Sequence, residues 1–220
     1  VSRVWVGVGG LLSTPAASAV IREREGGVAK GGIILTASHN PGGPDEDFGI
    51  KYNVANGGPA LEAFTDAVYA RTQAITQFRL CDRLPEVDLS CPCRHTFAPA
   101  AGADPFFEVE VIDSTEDWLQ LVRELFDLDA IRRLLARSDM SFCFDGMHGV
   151  AGPYAHALFG RELRVPVTSL LNCAPSEDFN GGHPDPNLVY AAELVERLGL
   201  GSSSAPDPPV LGAAADGDAD

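Results

Sequence analysis

Three groups of side chains in this 220-residue chain have the types and spacing to do chemistry. The first is Thr36-Ala37-Ser38-His39-Asn40-Pro41, where the apolar run GGIILTA empties into a polar loop. The second is Lys51, one of two lysines against fourteen arginines. The third is Asp216, Asp218 and Asp220, three carboxylates at alternate positions in a glycine-containing loop. A serine hydroxyl can carry a transferable group. Neighbours in an extended loop point apart, so Ser38 and His39 do not by themselves make a nucleophile and its base. Aspartates at alternate positions of a tight loop can turn onto one hard cation, and Mg²⁺ prefers a few carboxylates completed by a phosphate oxygen. A calcium loop of the EF-hand kind follows a helix, whereas VLGAAA before Asp216 is strand-like. Taken singly, each group also has a plain reading: a Ser-His turn, a solvated acidic tail.

These residues need elements to hold them. Residues 2–9 (SRVWVGVG) read as a strand, and 14–25 (TPAASAVIRERE) as a helix opened by Thr14 with Pro15 at its first position. Residues 31–37 form a second strand and 50–54 (IKYNV) a short third. Residues 59–75 have apolar positions at helical spacing. The Pro-, Cys- and Ala-rich stretch 81–105 reads as connecting loop, followed by a strand at 106–112 (FFEVEVI). Helices are expected at 113–126, capped by Ser114, and at 129–137, 152–163 and 187–198; strands at 141–145, 165–171 and 210–215. Strands alternating with helices argue for βαβ units around a parallel sheet. The ligands of such sheets gather beyond the carboxyl ends of strands, where both Ser38 and the aspartates lie. The GSSSAPDPP stretch reads as a surface insert.

Composition narrows the partners. A net charge of −15 and a pI near 4.6 disfavour nucleic acid and anionic membranes. Hydrophobic residues at 45% and charged residues at 21% describe a globular chain, and no apolar run is long enough to span a membrane. Five cysteines, scattered and odd in number, fit a reduced, cytoplasmic compartment. Cys91, Cys93 and His95, with Cys81 as a conceivable fourth ligand, offer a soft-metal set, but Pro92 and the lack of a second close pair favour a polar loop. His148 reads as a cap for the helix after it, and His183 as holding a turn between prolines.

The strings TASHNPGGPDEDFGIKYN, NGGPA, DGMHGVAGPY, EDFNGGHPDPNLVYAAELVE and GAAADGDAD follow the order and spacing of the α-D-phosphohexomutases. Over nearly its whole length the chain resembles the eukaryotic phosphoglucomutase branch of that family. The resemblance implies an α/β fold of two α/β/α domains with mixed, mainly parallel sheets. Residues 1–113 would be domain I with a phosphoserine loop, and 114–220 domain II ending in a metal loop, both incomplete. It implies an isomerase of carbohydrate metabolism acting on small sugar phosphates, glucose 1-phosphate and glucose 6-phosphate, through a phosphoenzyme and glucose 1,6-bisphosphate. Ser38 would carry the phosphoryl group, and Mg²⁺ would be held by Asp216, Asp218, Asp220 and a phosphoserine oxygen. Lys51 would supply positive charge or transfer a proton, His39 would orient the loop or touch phosphate, and Ser38 and Asp220 would face substrate. The family has Phe before its metal aspartates and Gly between the last two, where Ala215 and Ala219 stand here. Its N-terminal phosphate loop, sugar loop and distal phosphate-binding domain have no counterpart in these residues, so the isolated chain is expected to be inactive. The other reading is a non-catalytic relative with a structural or signalling role.

Overall fold

The structure, a computed structural model, describes residues 2–80, 85–97, 107–201 and 207–220. It is α/β with mixed sheets. Strand β1 (Arg3–Gly7) pairs in parallel with β5 (Phe107–Ile112), and β5 pairs antiparallel with β4 (Cys93–Phe97). Strands β2 (Gly31–Leu35) and β3 (Ile50–Val54) form a separate antiparallel pair, while β7 (Leu170–Leu171), β6 (Phe142–Asp145) and β8 (Leu211–Ala214) make a parallel sheet in that order.

The stretch expected to be connecting loop therefore contains a strand. Its CRHTF run pairs residue by residue with β5. Residues 81–84 and 98–105 of that stretch, with Cys81, lie outside the described residues. The strand expected at 165–171 contracts to two residues: Arg164 turns to φ 59°, Pro166 has no N–H to give a ladder, and Val167–Ser169 forms a 3₁₀ turn. The pairing of β2 with β3 is antiparallel, because one 14-residue loop returns the chain directly instead of through a crossover helix.

Helix α1 (Thr14–Glu23) is one residue differently capped than expected. Ser13 is the N-cap, its Oγ accepting from Ala16 N at 3.2 Å, which leaves the Thr14 hydroxyl free for another partner. Ala16, Ala17, Ala19, Val20 and Ile21 bury one side of α1, and Ile21 lies under Gly32, where a Cβ would approach its Cδ1 to 2.9 Å. Helix α3 (Ser114–Leu125) is capped by Asp113, accepting from Thr115 N at 3.0 Å, not by Ser114. Ser114 instead pairs with the Tyr154 hydroxyl at 2.7 Å, and that hydroxyl accepts from Ser13 N at 3.1 Å, so α1 and α3 are pinned at a shared buried point.

Helix α4 (Leu128–Leu135) packs Leu128 and Ile131 against Leu163 and Val165. Helix α5 (Ala151–Ala155) continues into a wider π turn over His156–Glu162, with Phe159 set against Phe142 and Phe144 of β6. Helix α6 (Ala192–Arg197) is half its expected length, because the Asn187 carboxamide oxygen accepts from Val189 N and Tyr190 N and holds residues 187–191 in turns. Helix α2 (Glu62–Ala74) buries none of its residues, although its apolar spacing predicts a packed face.

Candidate active site

The β2–β3 pair delivers two of the chemical residues. In its antiparallel register Ile34 faces Lys51, and the Thr36 N–H donates to Gly49 O at 3.0 Å, closing the base of the loop between them. At Gly49 a Cβ would run into Thr36 O, so this closure needs glycine. Within the loop Ser38 sits at φ 58°, in the left-handed region uncommon for residues other than glycine, with its N–H donating to Thr36 Oγ1 at 2.8 Å. That turn lifts the serine hydroxyl out of the loop toward the end of β8.

Strand β8 runs into the loop Ala215–Asp220, which carries the three aspartates. Ser38 Oγ donates to Asp216 Oδ2 at 2.9 Å and lies 3.5 Å from Asp218 Oδ1. Lys51 Nζ donates to Asp218 Oδ2 at 2.7 Å and to Asp220 Oδ2 at 3.0 Å. Asp220 N donates to Asp216 Oδ1 at 3.2 Å, folding the loop over its own carboxylate. The sequence-predicted residues Ser38, Lys51, Asp216, Asp218 and Asp220 thus form one cluster. His39 makes none of the hydrogen bonds that join them.

Thr14 belongs to the cluster and escaped the sequence reading. Its Oγ1 donates to Asp218 Oδ2 at 2.7 Å and its N–H donates to Asp218 O at 2.9 Å. The available signal was the pair Ser13-Thr14 before Pro15, two hydroxyl residues where a helix needs one cap. With Thr14 and Lys51 both on Oδ2, the Oδ1 of Asp218 is the oxygen left facing Ser38. His148 takes another role than expected, its Nδ1 lying 3.2 Å from Ala174 O rather than capping a helix, and His183 stacks on Tyr190 with ring centroids 4.0 Å apart.

The electrostatics follow from burial. Asp216 is 6% exposed and Asp218 3%. Burial pushes the Asp216 carboxyl above its ordinary value, against the Ser38 hydrogen bond, with the Asp218 charge adding to the rise. Burial acts on Asp218 in the same direction, but hydrogen bonds from Lys51 and Thr14 outweigh it and hold the carboxyl low. Lys51 loses some charge stability to burial and regains more from Asp218 and Asp220, which raises it. Lys51 is therefore a fixed cation.

Three carboxylates face one ammonium. One oxygen from each of Asp216, Asp218 and Asp220 lies within 4.8 Å of the others. All are hard oxygen donors, two are buried, and one ammonium leaves negative charge unbalanced. That donor set can hold a divalent cation of the size and hardness of Mg²⁺. Cys91, Cys93 and His95 are not such a set: Cys93 Sγ is 3.1 Å from His95 Nε2 on β4, but among the described residues the aspartates are the sole group of three with ligand atoms this close.

The site thus sets a serine hydroxyl on a strained turn against a loop of hard oxygen donors, on an α/β scaffold. Residues 3–79 match the family described as phosphoglucomutase/phosphomannomutase, alpha/beta/alpha domain I. It is 57% identical over 223 residues to the cytoplasmic phosphoglucomutase of Bromus inermis and 55% identical over 224 residues to cytoplasmic phosphoglucomutase 1 of Zea mays. Each match takes in 100% of this chain and 38% of the relative. The open-form crystal structure of pp63/parafusin, an exocytosis-sensitive phosphoprotein and phosphoglucomutase of Paramecium, superposes with a TM-score of 0.92 at 48% identity, over 100% of this chain and 40% of that one. The chain spans about two fifths of the length of these relatives.

Proposed function

We propose that this chain is the phosphoryl-transfer portion of a phosphoglucomutase that interconverts glucose 1-phosphate and glucose 6-phosphate through a phosphoserine at Ser38. One observation carries the reading: Ser38 Oγ donates to Asp216 at 2.9 Å across 178 residues of sequence, joining the two signature loops. Supporting it are the relatives named as phosphoglucomutases, which also suggest cytoplasmic location. No helix among the described residues is long and apolar enough to cross a membrane. We read residues 1–113 and 114–220 as two phosphohexomutase-type domains with mainly parallel sheets, a division supported by the break between the β1-β5-β4 and β7-β6-β8 sheets.

In this mechanism the phosphoryl group on Ser38 passes to the free 6-hydroxyl of glucose 1-phosphate. The bisphosphate formed turns over in the site and returns the phosphoryl of its 1-position to Ser38, releasing glucose 6-phosphate. Such transfers need alignment and charge neutralisation more than a strong nucleophile. Asp216, Asp218 and Asp220 would hold Mg²⁺, which when bound with a phosphoserine oxygen neutralises charge on the transferred group. Thr14 and Lys51 fix Asp218 so that Oδ1 is presented to Ser38. Held protonated by two carboxylates, Lys51 contributes charge beside the phosphoryl group rather than acting as a base. Asp220, the exposed member of the set, would face substrate. His39 is left the task of orienting the loop or touching phosphate.

The test is a chimera in which this chain replaces the corresponding stretch of the Bromus inermis relative. With Mg²⁺ and catalytic glucose 1,6-bisphosphate it is expected to produce glucose 6-phosphate from glucose 1-phosphate and to carry one phosphate, mapped to Ser38. Ser38→Ala should lower turnover by at least about a thousandfold, the scale at which a lost reacting group is felt. Undiminished turnover in Ser38→Ala, or phosphate mapped elsewhere with Ser38 bare, would overturn the reading.

A further inference from the structure

A residue that packs against both reacting loops lies outside both. Phe179, in the run Asp178-Phe179-Asn180-Gly181-Gly182, has φ 52°, a conformation that a bulky side chain adopts only when its surroundings enforce it. The enforcement is visible. Ser176 N donates to His148 O at 2.9 Å, Phe179 N to Ser176 O at 3.1 Å, and Gly182 N to Phe179 O at 3.0 Å. The Asp178 carboxylate accepts from Ser176 Oγ at 2.6 Å and from Asn180 N at 2.9 Å. The His148 turn that anchors this loop also anchors the aspartate loop, since Val150 N donates to Gly217 O at 3.0 Å.

Held this way, one half-buried ring touches both loops. A Cβ on Gly217, between Asp216 and Asp218, would run into Ser38 O, where the two loops meet directly, and would stand 3.0 Å from Phe179 Cζ and 3.2 Å from Cε1. A Cβ on Gly42, four residues after Ser38, would stand 2.9 Å from Cε2 and 3.2 Å from Cδ2. At both positions the backbone lies against the ring. Besides the direct approach of Gly217 to Ser38 O, the links between the loops are hydrogen bonds through side chains, Ser38 Oγ to Asp216 and Lys51 to Asp218 and Asp220, which can rearrange. A close-packed ring cannot yield in the same way.

We propose that Phe179 is a positioning residue whose ring, packed against both loops beside their direct contact at Gly217 and Ser38 O, holds the Ser38 loop in place on the Asp216–Asp220 loop, and so couples the phosphorylation state of Ser38 to cation binding by the aspartates. The proposal rests on the proposed function, in which those two loops form one site. A leucine at 179 fills part of the volume but cannot reach both glycines. Cation binding by the aspartates alone should survive that change, and its response to a phosphate on Ser38 should not.

The experiment installs phosphoserine at position 38 during translation and titrates Mn²⁺ alone into modified and unmodified chain, as parent and as Phe179→Leu. In the parent, phosphoserine is expected to tighten Mn²⁺ binding by about tenfold or more, a usual size for coupling between sites. In Phe179→Leu the unmodified chain should bind Mn²⁺ within about twofold of the parent, while the tightening falls below about threefold. A leucine chain that keeps the full tightening overturns the proposal. A parent that shows no tightening overturns the reading of the site itself, and the proposal with it. If Phe179→Leu loses its near-ultraviolet circular dichroism, the same comparison in Phe179→Met, which keeps an unbranched apolar chain without the ring, decides by the same two results.

Discussion

Ala219 stands at φ 63°, between Asp218 and Asp220, where the resembling family has glycine. A Cβ in the left-handed region costs roughly 1–2 kcal/mol against its own carbonyl, whereas glycine pays there only in chain entropy. Ala219→Gly is therefore expected to stabilise the chain by about 1 kcal/mol and to raise its melting temperature by about 2–4 °C, checked by calorimetry. A lower melting temperature would show that contacts of the Ala219 methyl with the neighbouring cluster of Phe144, Ala151, Ala155 and Cys173 outweigh the backbone strain. At this scale the sequence was informative. Ser38, Lys51 and the aspartates are legible because their loops carry specific local patterns. Thr14 was not, because its partner Asp218 is 204 residues away, and a threonine before a proline at a helix start reads as a cap.

Strands β6 and β7 show how an element sets the chemistry of what it carries. Cys143 on β6 and Cys173 just after β7 are buried in the layer formed with α5 and α6, while Cys91 is exposed. Burial pushes the Cys173 thiol up to about 11 and raises Cys143 as well. Both are thus short of thiolate and short of access. Iodoacetamide at pH 8 is expected to label Cys91 first and to reach Cys143 and Cys173 only in denaturant, as read by peptide mass mapping. Native labelling of Cys173 as fast as Cys91 would mean that this layer does not close in solution. Helix α2 is the opposite case. Its periodicity was plain in the sequence, but pattern reports only that a face can be buried, and here Tyr52 stacking on Phe64 is its one aromatic contact among the described residues.

Among the described residues, the β2–β3 pair and α2 expose a number of large apolar side chains. In the β2–β3 pair Ile34 turns inward, whereas Ile33 and Leu35 are 69% and 64% exposed, and Ile50, Phe48 and the apolar residues of α2 are exposed as well. Surfaces of this kind invite association, and a two-stranded sheet with open edges adds to the risk. The site is open in a second sense. Catalysis draws on binding energy from parts of the substrate remote from the reacting atoms, and the chain spans about two fifths of its relatives' length. The isolated 220-residue chain is expected to bind a hydrophobic reporter dye and to show no glucose 6-phosphate production in a coupled assay with Mg²⁺ and bisphosphate. Turnover by a monodisperse preparation, abolished by Ser38→Ala, would show that the chain holds all that catalysis needs.

Alternating strand and helix patterns, the Ser38 loop and the alternate aspartates follow from the sequence alone, since each is a relation among residues a few positions apart. Only the tertiary structure decided that β3 returns antiparallel and brings Lys51 to Asp218, that Ser13 rather than Thr14 caps α1, and that Phe179 lies between Gly42 and Gly217. These are contacts between residues far apart in the chain, and they depend on which turns and caps win among near-equal local options. That choice is made by packing, which no local spacing records.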